Sequence, residues 1–232
     1  MVLLSFYKFI KIKPAYLIKI KFFIYKVCLN NSLRGTIIIA NEGINLNIEG
    51  ESEKLHIFCK FFRTLALFTQ TKFKTSHNQQ KSFSKLKIYI KKELIKLKLN
   101  NLDIVKTHGQ YLTPILWNAL LKNNDILLID VRNHYECAIG TFKKAINPKI
   151  HNFLELKLWI DEYLSDINKE QKIAMFCTGG IRAEKSTAYL KQIKGFRRVY
   201  QLHGGILTYI KYIKQLSKWQ GKCFLFDDRI CI

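Results

Sequence analysis

Along the first ninety residues the spacing of apolar positions changes several times, and each change predicts an element. Ser5 to Ile12 is a strand candidate. From Pro14 to Leu29 the residues Tyr16, Leu17, Ile20, Phe23, Ile24 and Val27 recur at helical spacing. Gly35 to Ala40 is strongly β-branched and extended, Asn41, Glu42 and Gly43 make a turn, and Ile44 to Ile48 alternates as the second arm of a hairpin. Glu51 to Leu67 reads as a helix with Leu55, Phe58, Cys59 and Phe62 on one face. Phe83 to Ile90 alternates again and is expected to be the last strand. The order β-α-β-β-α-β predicts a ferredoxin-like α+β domain over residues 1–96.

The pattern then shifts. Lys91 to Lys98 mixes lysines and Glu93 with apolar residues and predicts an exposed strand or sheet edge; residues 97–111 read as a linker. Over 112–218 short apolar runs alternate with helical stretches. Thr113 can cap a helix that has Pro114 at its first position and runs to Leu121. Ile126 to Arg132 is a buried strand ending in the polar pair Asp130 and Arg132. A short helix over Asn133 to Ala138, an amphipathic one over Phe153 to Leu164, a strand over Ile173 to Phe176, a helix over Ala183 to Ile193, a strand over Val199 to Leu202 and a helix over Ile206 to Leu216 follow. Strands alternating with helices imply a parallel sheet, whose ligands bind at the strands' carboxyl ends. Cys177, Asp130 and His203 all occupy such ends. Residues 219–232 are a short aromatic tail expected to pack back on the second domain.

Charge narrows the partners. The 232 residues carry 39 Lys+Arg against 17 Asp+Glu, a net charge of +22, which favours a polyanion such as nucleic acid. The abundance of Lys, Ile, Asn and Phe together is also what a compositional bias in the coding DNA would produce. No uncharged run approaches membrane-spanning length, and no cleavable signal peptide is visible at the N-terminus, where Lys8, Lys11 and Lys13 interrupt the apolar residues. A cytoplasmic protein with reduced thiols is expected. The six cysteines include no CxxC pair, and no metal site is expected.

The chemistry concentrates at Met175 to Ser186, read as strand, tight loop and helix. Two glycines, Gly179 and Gly180, let the chain fold closely and bring backbone N–H groups together. Cys177 at the mouth of that loop faces those amides and the N-terminus of the following helix, and both stabilise negative charge on sulfur. Thr178, Gly179, Gly180, Ile181 and Arg182 supply the loop amides. Arg182 can bind an anion or an RNA phosphate, or brace the loop by bonding carbonyls. Asp130 and Arg132 are expected to anchor the loops rather than react. His134 and His203 could move protons but are equally at home as structural residues near turns.

The second unit resembles a rhodanese domain, through Ile129 to Arg132, Glu136, Gly140, Ala145 to Asn147, the Cys177 to Arg182 loop, Val199 to Leu202, and Gly204 with Gly205. The whole chain is similar to the rhodanese-like tRNA uridine hydroxylases, through Gly35 to Asn45, Tyr111 to Pro114 with Trp117 and Asn118, the cysteine loop, and Trp219 to Phe224 with Phe226 and Asp227. That resemblance implies oxygen-dependent conversion of the wobble uridine of tRNA to 5-hydroxyuridine. Cys177 would be the active-site cysteine, tRNA the partner, molecular oxygen the co-substrate and an unknown reductant the electron source, with no bound metal or flavin. Two departures stand out. The family usually has a second cysteine after the loop arginine, where this chain has Ala183; if that thiol resolves an oxidised Cys177, an external reductant must do so here. The family also usually extends past the Phe226–Asp227 block, and this sequence ends at Ile232.

Three other functions compete. A thiosulfate-type sulfurtransferase would carry a persulfide on Cys177 in the same loop. A cysteine phosphatase needs five residues between Cys and Arg, and this loop has four, one short of wrapping a phosphate. A non-catalytic RNA-binding protein of rhodanese fold would use the charge but not the cysteine.

Overall fold

The computed structural model describes residues 1–77, 81–99, 101–213 and 218–225. Contacts divide these residues into two compact units, one ending at Leu94 and one beginning at Ile95.

In the first unit β1 (Val2–Phe9), α1 (Pro14–Asn30), β2 (Arg34–Ala40), β3 (Gly43–Gly50), α2 (Ser52–Thr64), β4 (Lys74–His77) and β5 (Leu86–Ile90) follow one another. The sheet order is β4-β1-β3-β2-β5. β3 lies antiparallel between β1 and β2, and β4 is antiparallel to β1. These four strands with their two helices make the expected ferredoxin-like arrangement. Its fourth strand, however, is the short polar β4, which the sequence pattern does not announce. The strand expected to close the motif, β5, is a fifth member that runs parallel to β2. β4 escapes a hydrophobic reading because Lys74, Thr75 and His77 are exposed on a sheet edge.

The period-two pattern is what gives this sheet two unlike faces. Leu4, Ile37, Ile39, Ile44, Leu46 and Ile48 point inward to meet Leu17, Ile20 and Ile24 of α1 and Leu55, Phe58 and Phe62 of α2. Phe62 stacks on Phe68 at 4.7 Å between centroids, and Phe6 meets Phe62 edge-on at 5.8 Å. Truncating such a ring costs about 3–5 kcal/mol. α1 departs from the expected face in detail: Tyr16 and Phe23 are exposed, because the buried stripe runs through Leu17, Ile20, Ile24 and Cys28.

Lys91 to Lys98 forms no strand. Leu94 and Leu97 are 4% and 1% exposed, and their spacing of three cannot be served by a strand whose sides alternate. The backbone instead turns, with the Leu94 N–H donating to the Glu42 carboxylate at 2.6 Å. Beyond it, Leu97 joins the core of the second unit, and Ile104 is buried in α3 (Ile104–Thr107). Gln192 ties this stretch down by accepting from the Asp103 N–H and donating to the Asn101 carbonyl, both at 2.8 Å.

The second unit continues with β6 (Gln110–Leu112), α4 (Pro114–Leu120), β7 (Ile126–Asp130), α5 (His134–Ile139), β8 (Gly140–Phe142), α6 (Glu155–Tyr163), β9 (Lys172–Phe176), α7 (Ile181–Gln192), β10 (Val199–Leu202), α8 (Gly205–Tyr212) and β11 (Trp219–Gly221). β6, β10, β9 and β7 form a parallel sheet in that order. Thr113 caps α4 as expected, accepting the Leu116 N–H at 3.4 Å. The tail begins by returning onto this unit: β11 pairs antiparallel with β8, and the Trp219 ring meets Phe142 edge-on at 5.1 Å. The end of the expected last helix, residues 214–216, and the tail from Phe226, with Asp227 and Cys231, lie outside the described residues. No helix among the described residues is long and apolar enough to cross a membrane.

Candidate active site

Parallel pairing brings the carboxyl ends of β7 and β9 level, with Asp130 opposite Phe176, so the chain after each strand emerges on the same edge of the sheet. Cys177 follows β9, a strand with neighbours on both sides. The loop after it closes in three residues because Gly180 takes φ 109°, ψ −26° at the start of α7, a left-handed geometry that favours glycine. That geometry turns the Gly180 N–H onto the Cys177 sulfur at 3.2 Å. An N–H aimed at sulfur from a helix N-terminus favours a negatively charged species there.

Three other described cysteines, Cys28, Cys137 and Cys223, sit in a different setting. Burial pushes the Cys28 and Cys223 thiols up to about 12, and raises Cys137 further, with the Asp130 charge adding to it. These thiols stay protonated and inert at neutral pH. No group of three or more His, Cys, Asp and Glu among the described residues is arranged to hold a metal ion.

The sulfur is not open to solvent. Cys177 is 1% exposed, so the thiol is enclosed. Part of the reason is α8, whose start packs on the loop. The Ile206 N–H donates to the Cys177 carbonyl at 3.0 Å and the Leu207 N–H to the Thr178 carbonyl at 3.1 Å. Gly205 permits the approach: at φ +69°, a Cβ there would stand 2.5 Å from the Cys177 carbonyl oxygen and 2.4 Å from that of Thr178. Gly205 is thus a close-contact element of the loop.

Arg182 is a brace, and its partner is a side chain. It donates to both oxygens of Glu136, at 2.5 and 2.6 Å, and to the Thr178 hydroxyl at 3.4 Å. Burial works against the charge on Arg182, and the Glu136 carboxylate outweighs it, holding the guanidinium protonated. Glu136 also accepts the Asn133 N–H at 3.1 Å, so it fixes the start of α5 and the cysteine loop together. The sequence pattern assigns Glu136 no partner. Its position three residues after Asn133 at a helix start was the available signal, but that points to a cap and not to a counter-ion.

Asp130 and Arg132 form a second, fully buried anchor. Arg132 Nε and Nη2 donate to Asp130 at 2.9 and 2.7 Å, Nη2 also reaches the Gly140 carbonyl at 2.5 Å, and the Thr141 hydroxyl donates to Asp130 at 2.7 Å. The pair links β7 to β8, and the Arg132 guanidinium lies 5.6 Å from the Trp219 ring centroid. Of the two histidines, His134 bonds Asn147 at 3.0 Å, and the His203 ring meets Tyr111 edge-on at 5.4 Å.

Comparison with known proteins follows this division. Residues 1–94 match the UPF0176 acylphosphatase like domain, and residues 114–211 match the rhodanese-like domain. The tRNA uridine(34) hydroxylase of Legionella pneumophila (strain Lens) is 43% identical over 201 residues, covering 86% of this chain and 78% of that protein. The protein of the same name from Acaryochloris marina is 42% identical over 229 residues, covering 98% and 73%. That from Wolbachia pipientis subsp. Culex pipiens is 40% identical over 232 residues, covering 100% and 80%. With that identity over so much of both partners, the chain belongs to the tRNA uridine(34) hydroxylase family.

Proposed function

We propose that this chain hydroxylates the wobble uridine of tRNA to 5-hydroxyuridine, with molecular oxygen as co-substrate and Cys177 as the reacting sulfur. The observation that carries the proposal is the Gly180 N–H held 3.2 Å from the Cys177 sulfur, in a chain 40–43% identical to proteins named for this reaction. Inserting one oxygen atom of O2 into the C5–H bond sends the other to water and consumes two electrons and two protons. Over repeated turnover those electrons come from an external reductant, and with Ala183 after the loop arginine no thiol at that position relays them to Cys177. The loop residues Thr178 to Arg182 hold the sulfur in place, Asp130 and Arg132 keep the neighbouring strand end rigid, and the +22 charge draws the polyanionic substrate.

An enclosed thiol adds a requirement. The uridine reaches Cys177 only when the segments over it move, so a loop or helix-start displacement precedes chemistry. Mass spectrometry of tRNA nucleosides from cells lacking the protein tests the proposal. Loss of 5-hydroxyuridine and its derivatives supports it, and an unchanged nucleoside profile rejects it.

The rhodanese-like match over residues 114–211 favours a second reading, a sulfurtransferase with a persulfide on Cys177. Vigorous thiocyanate production from thiosulfate and cyanide would support that reading over hydroxylation.

A further inference from the structure

The helices of the first unit cover one face of its sheet. On the opposite face, strand register places Tyr7, Asn45, Ile38 and Tyr89 in one row across β1, β3, β2 and β5. The adjacent row carries Asn47, Thr36 and Lys87 across β3, β2 and β5. None of these side chains is buried, and Tyr89 is 43% exposed. We infer that this face receives unpaired nucleotides of the RNA substrate, with the two tyrosine rings as stacking platforms and Lys87 of β5 and Lys91 just beyond it meeting the phosphates. The inference rests on the proposal that tRNA is the substrate.

Three features favour RNA over bare solvent. The exposed Tyr89 ring and the partly buried Tyr7 ring, on one sheet face, offer π-surface to any base, and stacking of that kind tolerates sequence. Between the rings the central strands present amides and a hydroxyl, which donate to and accept from base edges. Lys87 and Lys91 are exposed beside Tyr89, with the Lys91 ammonium 5.4 Å from that ring's centroid. The nearby acid is withdrawn: Glu49 is 0% exposed, and its carboxylate accepts the N–H groups of Ser82 and Phe83 at 2.8 and 2.9 Å. Cations and rings therefore face outward without a competing carboxylate in either row. Bases locked inside a stem cannot stack on such rings, so unpaired nucleotides are the occupant.

The experiment uses the full chain, a labelled RNA hairpin with a uridine-containing loop, and a loop-free duplex of the same stem. Tyr89→Ala is expected to weaken hairpin binding about tenfold, while Tyr89→Phe keeps it within about twofold and duplex binding does not change. Lys87→Ala is expected to weaken binding to every RNA and reduce the salt slope by about one. Tyr7 packs against Phe9, so its truncation risks the fold, and photo-crosslinking of 4-thiouridine hairpin to the unaltered chain serves in its place. Adducts in β1 or β5 support the inference. Adducts only elsewhere, unchanged hairpin binding by Tyr89→Ala, or equal loss for the duplex overturn it. The two proposals fail separately. A protein that forms no 5-hydroxyuridine yet loses loop binding with Tyr89→Ala keeps this surface and loses the function, whereas full activity with insensitive binding loses the surface alone.

Discussion

Glu136 and Arg182 meet through two buried hydrogen bonds, at 2.5 and 2.6 Å, across 46 positions of sequence. One residue opens the helix after β7 and the other opens the helix after the cysteine loop. The pair therefore makes the loop's position depend on the neighbouring strand end. Planar two-point contact is what a guanidinium offers and an ammonium does not.

Breaking that pair leaves a buried charge without its counter-ion. Glu136→Ala is expected to destabilise the protein by about 3–5 kcal/mol, read from urea unfolding, and to reduce 5-hydroxyuridine formation. Arg182→Lys should cost less stability and still impair the reaction, because an ammonium lacks the planar fork that engages both Glu136 oxygens. A Glu136→Ala variant with unchanged unfolding would show that the pair does not hold the loop.

Two glycines of the site should respond differently to an added methyl. At Gly205 a Cβ meets the Cys177 and Thr178 carbonyl oxygens at 2.5 and 2.4 Å and the backbone is left-handed, so Gly205→Ala is expected to lower stability by about 1–3 kcal/mol or more and to disturb the reaction. At Gly179 a Cβ meets nothing within 4 Å, and Gly179→Ala should leave the melting temperature nearly unchanged. Melting curves of the two variants side by side check the contrast.

Asp161 gives the protein an acid-sensitive contact. Burial alone would raise its carboxyl, but Lys157 and Lys194, each at 2.6 Å, and the Tyr189 hydroxyl outweigh it and bring it to about 2. A depressed carboxyl contributes stability above its unfolded value near 4, and that contribution disappears as pH falls from about 4 to about 2. Asp161→Asn should flatten the acid limb of the stability profile in that window and leave the profile above pH 5 parallel to that of the unaltered protein. Added salt should shrink the difference, since the side chains are about a third exposed.

The cysteines should sort by environment. Under iodoacetamide at pH 8, Cys28 and Cys223, pushed up to about 12 by burial, should remain unlabelled until urea unfolds the chain. Cys177 is buried as well, yet carries the Gly180 N–H on its sulfur, so it should be alkylated faster than either. Peptide mass spectrometry over time gives the three rates. Equal labelling of all three would remove the distinction drawn for Cys177.

The sequence made the main strands and helices legible because their periods are long and clean, as in Ile37 and Ile39 against Ile44, Leu46 and Ile48. It hid β4, β6, β8 and β11, which are three or four residues long and take their form from a neighbour rather than from their own pattern. The place of β5 was illegible for a related reason: alternation marks a strand but not its partner, and β5 pairs with β2. At the site, Cys177, the glycines and Arg182 were visible as a local motif. Glu136 as the partner of Arg182 was not, because the contact joins two separate strand–helix turns. Nor was the enclosure of the thiol, which depends on Gly205 bringing α8 against the loop.

The central claim is that the Cys177 sulfur carries out the hydroxylation, and replacing that one atom tests it most directly. Cys177→Ala should fold with the circular dichroism of the unaltered protein, bind tRNA with nearly the same affinity, and return no 5-hydroxyuridine when tRNA nucleosides are measured by mass spectrometry after complementation of cells lacking the protein. Formation of 5-hydroxyuridine at the unaltered protein's level in those cells would contradict the account.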